Sequence, residues 1–196
     1  MPFVFEPQEI PAVVLITPRA FADSRGYFVE TYKRSEFQRA GIPSEFYQDN
    51  CSASKKGVVR GLHYQLDPAA QGKLLRALSG SVWEVAVDIR RGSPTFGRWT
   101  GAVLSAENRK MLWIPPGFAA GMVSLEDDSQ LAYKTTEEYS QPHERGIRWS
   151  DPTINIRWPV DVSYAIVSDK DQAHPLLKDA EINFVCRPLD GPSHDR

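Results

Sequence analysis

The sequence has few cysteines and few histidines. Its two cysteines, Cys51 and Cys186, stand far apart and form no CxxC pair, so neither a disulfide framework nor a zinc knuckle is indicated. The 4 histidines include no HxH pair, and three of them, His143, His174 and His194, lie in polar, Pro-flanked or tail segments. Barrels that bind iron, manganese or zinc usually need two or three convergent histidines with a carboxylate, so we expect no metal.

Long apolar runs and an excess of one charge are also missing. The longest apolar run near the start covers residues 11–16, far shorter than a membrane span, and no basic segment with a hydrophobic stretch precedes it. Lys and Arg number 23 against 25 Asp and Glu, which gives no overall attraction to nucleic acid or an anionic membrane. With so few cysteines, the sequence favours a soluble protein of the reducing cytoplasm that meets anionic ligands through local basic clusters.

Short apolar or alternating segments recur along the chain, separated by clusters of Gly, Pro, Asp, Asn and Ser. Many short strands at roughly 8- to 12-residue spacing are typical of a β-sandwich or a small barrel of jelly-roll type. The clearest alternation, in residues 81–90, predicts one apolar face and one mixed face that includes Glu84. One short helix is predicted near SEFQRAG, with a capping box from Ser35 to Gln38 and Gly41 at its end.

The segment GVVRGLHYQ, residues 57–65, reads as a strand that carries a histidine. On an uninterrupted strand His63 shares a face with Val59, while Arg60 and Tyr64 point the other way. A histidine on the interior face of a barrel serves as a base, as a metal ligand or as a hydrogen-bonded core residue. Its position alone leaves these three roles open.

Four further residues are candidates for chemistry, each with an ordinary alternative. Lys73 and Arg76 are three apart, so on a strand they occupy opposite faces, and each alone reads as a solvated cation. With Arg60, they would suit a pyrophosphate or a developing enolate oxygen. Tyr133 is either an amphipathic core residue or a general acid. Asp171 reads as a surface turn residue unless it orients a histidine.

Motifs of one known family occur in order along almost the whole chain. They are FADSRGYFVETY (21–32), QDNCSASKKGVVRGLHYQ (48–65), QGKLLRALSGSVWEVAVDIRRGSPTFGRW (71–99), LSAENRKMLWIPPGFA (104–119), YKTTEEYSQPHERGIRWSDP (133–152) and VSDKD (167–171). In these motifs the sequence resembles the dTDP-4-dehydrorhamnose 3,5-epimerases. The resemblance implies an all-β, double-stranded β-helix or jelly-roll (cupin-like) barrel with a few short helices. We expect a single domain over residues 1–186 and a polar tail over residues 187–196.

The resemblance also implies a catalytic set. His63 matches the base that removes the proton beside the 4-keto group, and Asp171 matches its carboxylate partner. Lys73 matches the lysine that stabilises the enolate, and Tyr133 matches the acid on the opposite face of the sugar ring. The implied reaction inverts C3 and C5 of dTDP-4-keto-6-deoxyglucose to give dTDP-4-keto-L-rhamnose, in deoxysugar biosynthesis. The family needs no metal or organic cofactor for it.

The substrate-binding residues implied by the resemblance fall into two groups. In the first, Arg60 matches a pyrophosphate contact, Gln48 and Asn50 match polar residues that hold the sugar and phosphate end, and Tyr139 matches a second active-site tyrosine. In the second, Arg25, Phe28 and Glu30 match a segment that reaches the active site of the neighbouring subunit. A homodimer is therefore the expected form.

One departure from the family pattern concerns the lining of the site. The family usually reads PPGFAHGF where this chain reads PPGFAAGM, so Ala120 and Met122 replace a histidine and an aromatic. The change leaves open an epimerase acting at C3 alone or C5 alone on another nucleotide-linked 4-keto sugar. It also leaves open a non-catalytic sugar-nucleotide binding protein, although the four catalytic matches argue against that. A metal-dependent cupin oxygenase or isomerase is the third alternative.

Overall fold

The computed structural model describes residues 2–43 and 45–186. The predicted tail over residues 187–196 lies outside the described residues, and the single-domain assignment stays a prediction. The strands are β1 Phe3–Pro7, β2 Val14–Pro18, β3 Ala20–Asp23, β4 Gly26–Val29, β5 Gln48–Ser54, β6 Val58–Gln65, β7 Lys73–Ser79, β8 Ser81–Asp88, β9 Trp99–Ser105, β10 Met111–Ile114, β11 Phe118–Ser124, β12 Ser129–Thr135, β13 Glu144–Gly146 and β14 Ile166–Val167. The helices are α1 Arg34–Arg39, α2 Asp169–Gln172 and the 3-10 turns Gln141–His143, Val162–Tyr164 and Leu177–Asp179.

Two sheets enclose the interior of the barrel. The first has the strand order β1-β2-β10-β7-β12-β5, and the second has the order β13-β6-β11-β8-β9, with β14 added parallel to β6. Strands β3 and β4 form a separate hairpin. Apolar side chains from both sheets, among them Leu75 and Leu131 of the first and Ala86 and Phe118 of the second, form one cluster between them. The mostly β architecture agrees with the prediction.

Strand β8 shows how the sequence pattern relates to the layers. Its predicted apolar face, with Trp83 and Val85, packs outward against a second cluster, to which strand β6 and the C-terminal half of the chain contribute. Its mixed face points inward, where Val82 and Ala86 join the cluster between the sheets. Both faces are buried, so Glu84 on the mixed face lies inside the barrel rather than in solvent.

Strand β6 departs from the alternation that the sequence predicts. Its register with β11 shifts by one residue, so that His63 lies opposite Ala120 while Arg60 lies opposite Met122. Gly61 sits between them at φ 124°, and a Cβ there would lie 2.6 Å from the Cα atom of Gly121 on β11. Only glycine fits so close an approach. Arg60 and His63 consequently line the same cavity, which corrects the opposite-face prediction.

Helix α1 begins earlier than the sequence predicts. Its N-cap residue is Lys33, which makes no side-chain cap bond, so the predicted capping box at Ser35 is wrong. The predicted end is correct, because Gly41 follows at φ 75° just after the last helical turn. Phe37 holds the helix against Phe3 and Phe5 on the outer side of the first sheet. No helix in the described ranges is long and apolar enough to span a membrane.

Candidate active site

Two adjoining cavities share His63, Lys73 and Tyr133 as lining residues. The polar cavity, of about 370 Å³, is further lined by Gln48, Asn50, Gln65, Tyr139 and Glu144. The Glu84 cavity, of about 220 Å³, is further lined by Ser52, Arg60, Leu75, Glu84, Ala120 and Met122. The fold thus brings a histidine from β6, a lysine from β7 and a tyrosine from β12 to one space.

His63 is paired with Asp171. Its Nε2 atom lies 2.7 Å from Oδ1 of Asp171, whose Oδ2 accepts a hydrogen bond from the Gly61 amide at 3.2 Å. Ser168 caps helix α2 by accepting from the Asp171 amide, which fixes the carboxyl against β6. Burial alone would raise the pKa of Asp171. The hydrogen bond to His63, the charge of His63 and the hydrogen bond from the Gly61 amide outweigh burial and lower the pKa below its ordinary value.

Lys73 lies beside this pair in a desolvated position. Its Nζ atom donates to the His63 carbonyl at 3.4 Å. Burial lowers the pKa of Lys73 below its ordinary value, and the charges of Glu84 and Glu144 offset this effect only in part. Arg76, three residues along β7, lines a separate cavity of about 170 Å³ that contains neither His63 nor Asp171. The predicted division of the two cations between opposite faces therefore agrees with the structure.

Tyr133 and Arg60 complete the inner wall. Burial and the charge of Glu84 raise the pKa of Tyr133, and Arg60 opposes this rise. Arg60 extends along β5, where its Nε atom donates to Ser54 Oγ and its guanidinium also donates to the Ala53 carbonyl, each at 3.1 Å. A phenol and a guanidinium thus border the cavity that also contains the imidazole of His63.

The polar cavity holds the first group of predicted binding residues. Gln48 donates from Nε2 to Oδ1 of Asn50 at 2.7 Å and accepts from the Tyr139 amide at 2.7 Å. The Tyr139 hydroxyl and Lys170 Nζ both donate to Oε2 of Glu144, at 2.9 and 2.7 Å. This network fixes the loop after β12 against the end of β5.

The second group of predicted binding residues lies elsewhere in the chain. Arg25 is in the turn of the β3–β4 hairpin, where it pairs with Asp23 at 2.6 Å and leaves 87% of its side chain exposed. Phe28 is 65% exposed, and Glu30 follows the hairpin in a half-buried position. None of the three lines either cavity of its own chain.

His174 lies next to the pair although the sequence placed it in a polar segment. Its Nε2 atom is 3.5 Å from Oδ1 of Asp171 and has no hydrogen-bond partner among the described residues. Its ring fits only because residue 146 is glycine, since a Cβ there would meet the imidazole. The ligand atoms of His63, Asp171 and His174 all lie within 4.8 Å of one another, so these three side chains would be the donors for any metal ion at this place.

Comparisons with known proteins identify the family of this chain. The family model described as dTDP-4-dehydrorhamnose 3,5-epimerase matches residues 7–179. The chain belongs to this family. The family's enzyme from Shigella flexneri is 52% identical over 176 residues, which cover 89% of this chain and 91% of that protein.

Two solved structures of family members confirm the jelly-roll prediction. The epimerase from Sulfolobus tokodaii superposes with a TM-score of 0.86 at 48% identity, covering 93% of this chain and 99% of that one. The dTDP-6-deoxy-D-glucose-3,5-epimerase from Legionella pneumophila, solved in complex with dTDP-4-keto-L-rhamnose, gives a TM-score of 0.86 at 43% identity, covering 90% of this chain and 93% of that one.

Membership in the epimerase family makes the departure at position 120 informative. Ala120 and Met122 are nearly fully buried and border the Glu84 cavity. Ala120 lies directly opposite His63 on β6 and Ala86 on β8, so the missing imidazole would have stood within the cavity wall. At this end of the site, the described lining residues include one carboxyl, Glu84.

Three residues of the site escaped the sequence-based assignment of roles. Glu84 left a signal, since it is a carboxylate in the middle of a largely apolar strand. Glu144 sits in the short strand β13 between His143 and Arg145, where nothing in the sequence distinguishes it from a solvated side chain. His174 follows Asp171 by one helical turn, a spacing that predicts proximity only once that turn is known to be helical.

Proposed function

We propose that this protein is a dTDP-4-dehydrorhamnose 3,5-epimerase, which inverts C3 and C5 of dTDP-4-keto-6-deoxyglucose to give dTDP-4-keto-L-rhamnose for deoxysugar biosynthesis. One observation carries the proposal: the hydrogen-bonded His63–Asp171 pair shares a cavity with Lys73 and Tyr133 in a chain of this family. A base, a cation and a phenol around one space are what inversion beside a ketone requires. A binding protein would need no such set.

In the proposed first step, His63 removes the proton from the carbon beside the 4-keto group. The lowered pKa of Asp171 keeps its carboxylate ionised, so it accepts a hydrogen bond from Nε2–H of His63 and leaves Nδ1 as the basic nitrogen. The electrons of the broken C–H bond move into the carbonyl, which becomes an enolate. Lys73 stabilises the developing oxyanion where the charge forms.

In the proposed second step, Tyr133 returns a proton to the carbon from the opposite face. The raised pKa of Tyr133 keeps the phenol protonated at neutral pH, as a proton donor must be. Arg60, which opposes that rise, stabilises the phenolate that remains. Proton exchange with water then returns His63 to its neutral form and Tyr133 to its phenol. The same cycle at the second carbon completes the double inversion.

Conversion of the substrate tests this proposal. Purified protein is incubated with dTDP-4-keto-6-deoxyglucose in buffer containing a chelator, and the sugar configuration is followed by proton NMR. We expect products inverted at C3 and C5, with equal rates with and without chelator. A sugar that keeps its starting configuration would overturn the proposal, and a rate that collapses on chelation would instead favour a metal-dependent cupin.

A second candidate function, inversion at C3 alone, is favoured by Ala120. The imidazole that the family usually places there is absent, so one end of the sugar meets a methyl group instead of a polar ring. A product inverted at C3 but not at C5 in the same NMR experiment would select this alternative.

We further infer a homodimer of the cytoplasm. The β3–β4 hairpin exposes Phe21, Tyr27 and Phe28, an apolar group that suits a protein interface, and it carries Arg25. Cys51 is exposed and forms no disulfide, as is usual in a reducing compartment. Light scattering on purified protein tests the dimer, and Phe28→Ser should weaken it; a monomeric wild type would contradict the inference.

A further inference from the structure

Glu84 is a buried carboxyl that the proposed proton transfers do not use. It is 2% exposed and lies on the inward face of β8, between Val82 and Ala86 of the apolar cluster. Burying a carboxyl among apolar side chains is unfavourable unless the group is well partnered. Its retention in the barrel therefore needs a physical reason.

One oxygen of Glu84 lacks a partner. Oε2 is fully buried and has no hydrogen bond to any described residue. The carboxyl borders the Glu84 cavity, which also contains His63, Lys73 and Tyr133. The unmet hydrogen-bonding capacity thus lies at the space in which the sugar would react.

The charge state of Glu84 suits a donor. Burial raises its pKa to about 8, and the nearby Lys73 only partly offsets this effect. At neutral pH the carboxyl is therefore mostly protonated. The strands paired with β8, β11 and β9, place Met122 and Ala102 opposite Glu84, and neither is titratable. The titratable groups that line its cavity are Lys73 from β7, Tyr133 from β12, and His63 and Arg60 from β6.

We propose that Glu84 binds an oxygen atom of the 4-keto hexose as an uncharged carboxylic acid that donates a hydrogen bond. This inference rests on the proposed function. A carboxylic acid supplies a polar contact beside Lys73 and the reacting carbon, whereas a carboxylate would repel the enolate. Ala120 leaves the room for this contact, because its side chain ends at Cβ.

Substitution by methionine tests the contact. Glu84→Met keeps the length and unbranched shape but removes both oxygens, so we expect kcat/KM to fall about 10- to 100-fold, as for a lost substrate hydrogen bond. Glu84→Gln, which keeps a donor and an acceptor, should recover most of this loss. The matched control is Leu104→Met, in the same apolar cluster but outside the lining, and it should keep the wild-type rate within about twofold.

The pH profile separates a role in the reaction from a role in packing. Wild-type kcat/KM should fall above about pH 8, where Glu84 ionises. Glutamine cannot ionise, so the alkaline fall should move up by about one pH unit in Glu84→Gln. If Glu84→Met does not fold, the comparison of the pH profiles of wild type and Glu84→Gln is sufficient to test the proposal.

Each outcome bears on one claim. A Glu84→Met rate within about threefold of wild type, or identical alkaline limbs for wild type and Glu84→Gln, would overturn the inference and leave the epimerase proposal intact. A wild-type protein that does not convert the substrate would overturn the epimerase proposal itself.

Discussion

Two glutamates, Glu84 and Glu144, raise the pKa of Lys73. Their surroundings differ, so that one carboxyl is charged at neutral pH and the other is uncharged. Glu144, in the polar cavity, receives hydrogen bonds from Tyr139 and Lys170; although burial raises its pKa, these partners outweigh burial and lower it. Glu84, on the other side of the same site, keeps an unpartnered oxygen, and burial raises its pKa to about 8. Partners, rather than residue type, decide whether a carboxyl near the reacting centre carries a charge.

The difference divides the site into two functional ends. The charged end, around Glu144, holds a network of fixed polar groups that suits the positioning of a substrate. The uncharged end, around Glu84, places no negative charge beside the position proposed for the enolate. The predictions that follow alter first the groups that both ends share and then each end separately.

Removal of the shared base should have the largest effect. His63→Ala eliminates the imidazole that both cavities share, so we expect proton exchange to fall by about 10³-fold or more, in the range of lost general-base catalysis. Deuterium incorporation measured by mass spectrometry checks this. His143→Ala is the control, since Ser140 is the one side-chain partner of His143 among the described residues and His143 lines neither cavity; its rate should stay within about twofold. Near wild-type exchange in His63→Ala would refute the assignment of the base.

Removal of the shared acid should separate exchange from inversion. Tyr133→Phe retains the ring and its packing but loses the proton donor, so we expect net inversion to fall about 100-fold while exchange falls much less. Parallel NMR and mass spectrometry on one reaction give both rates. Tyr139→Phe, whose hydroxyl bonds Glu144 at the exposed edge, should slow both rates equally and by less than about tenfold. Equal losses of exchange and inversion in Tyr133→Phe would argue against the acid role.

Introduction of an imidazole should alter the uncharged end. Ala120→His places a titratable ring in the Glu84 cavity, opposite His63, and we expect the ratio of exchange at C3 and C5 to change about three- to tenfold. Ala120→Leu adds similar bulk without nitrogen atoms and should lower both exchange rates together. If the two variants behave alike, the space at position 120 matters and the chemistry of its side chain does not.

The smallest expected effect is on the pH dependence of thermal stability in variants of Glu84 and Glu144. The pKa of Glu84 is raised in the folded state, so its contribution to stability is present below about pH 4.5 and is lost as pH rises toward about 8. The melting temperature of Glu84→Met should therefore gain on wild type between pH 5 and pH 8. Glu144→Gln should depart from wild type in a lower pH window and with the opposite sign, because the lowered pKa of Glu144 gives stability that is present above about pH 4.5 and is lost as pH falls below it. Thermal unfolding at several pH values measures both slopes, and parallel curves would contradict the comparison.

The sequence predicted the strands better than the details of their pairing. Alternation located β8, since this strand follows the regular two-residue period, with Trp83 and Val85 on one face and Val82 and Ala86 on the other. The same period failed in β6, because the register shift at Gly61 depends on the close approach of β11, which lies almost sixty residues later in the chain. A local pattern contains no information on such an approach.

The candidate site likewise has features that the sequence predicted and features that it did not. Family motifs pointed to His63, Lys73, Tyr133 and Asp171, and the structure brings these four together. Motifs did not point to the charge state of Glu84, because that state depends on burial and on one missing hydrogen bond, which are tertiary properties.

Position-resolved deuterium incorporation into dTDP-4-keto-6-deoxyglucose by the wild-type protein, in heavy water without added metal, tests the central claim most directly. Proton NMR reports each carbon separately. If His63 is the base for both carbons, as we propose, the proton signals at C3 and C5 are both lost. Full retention of both signals under conditions in which the protein is folded would contradict it.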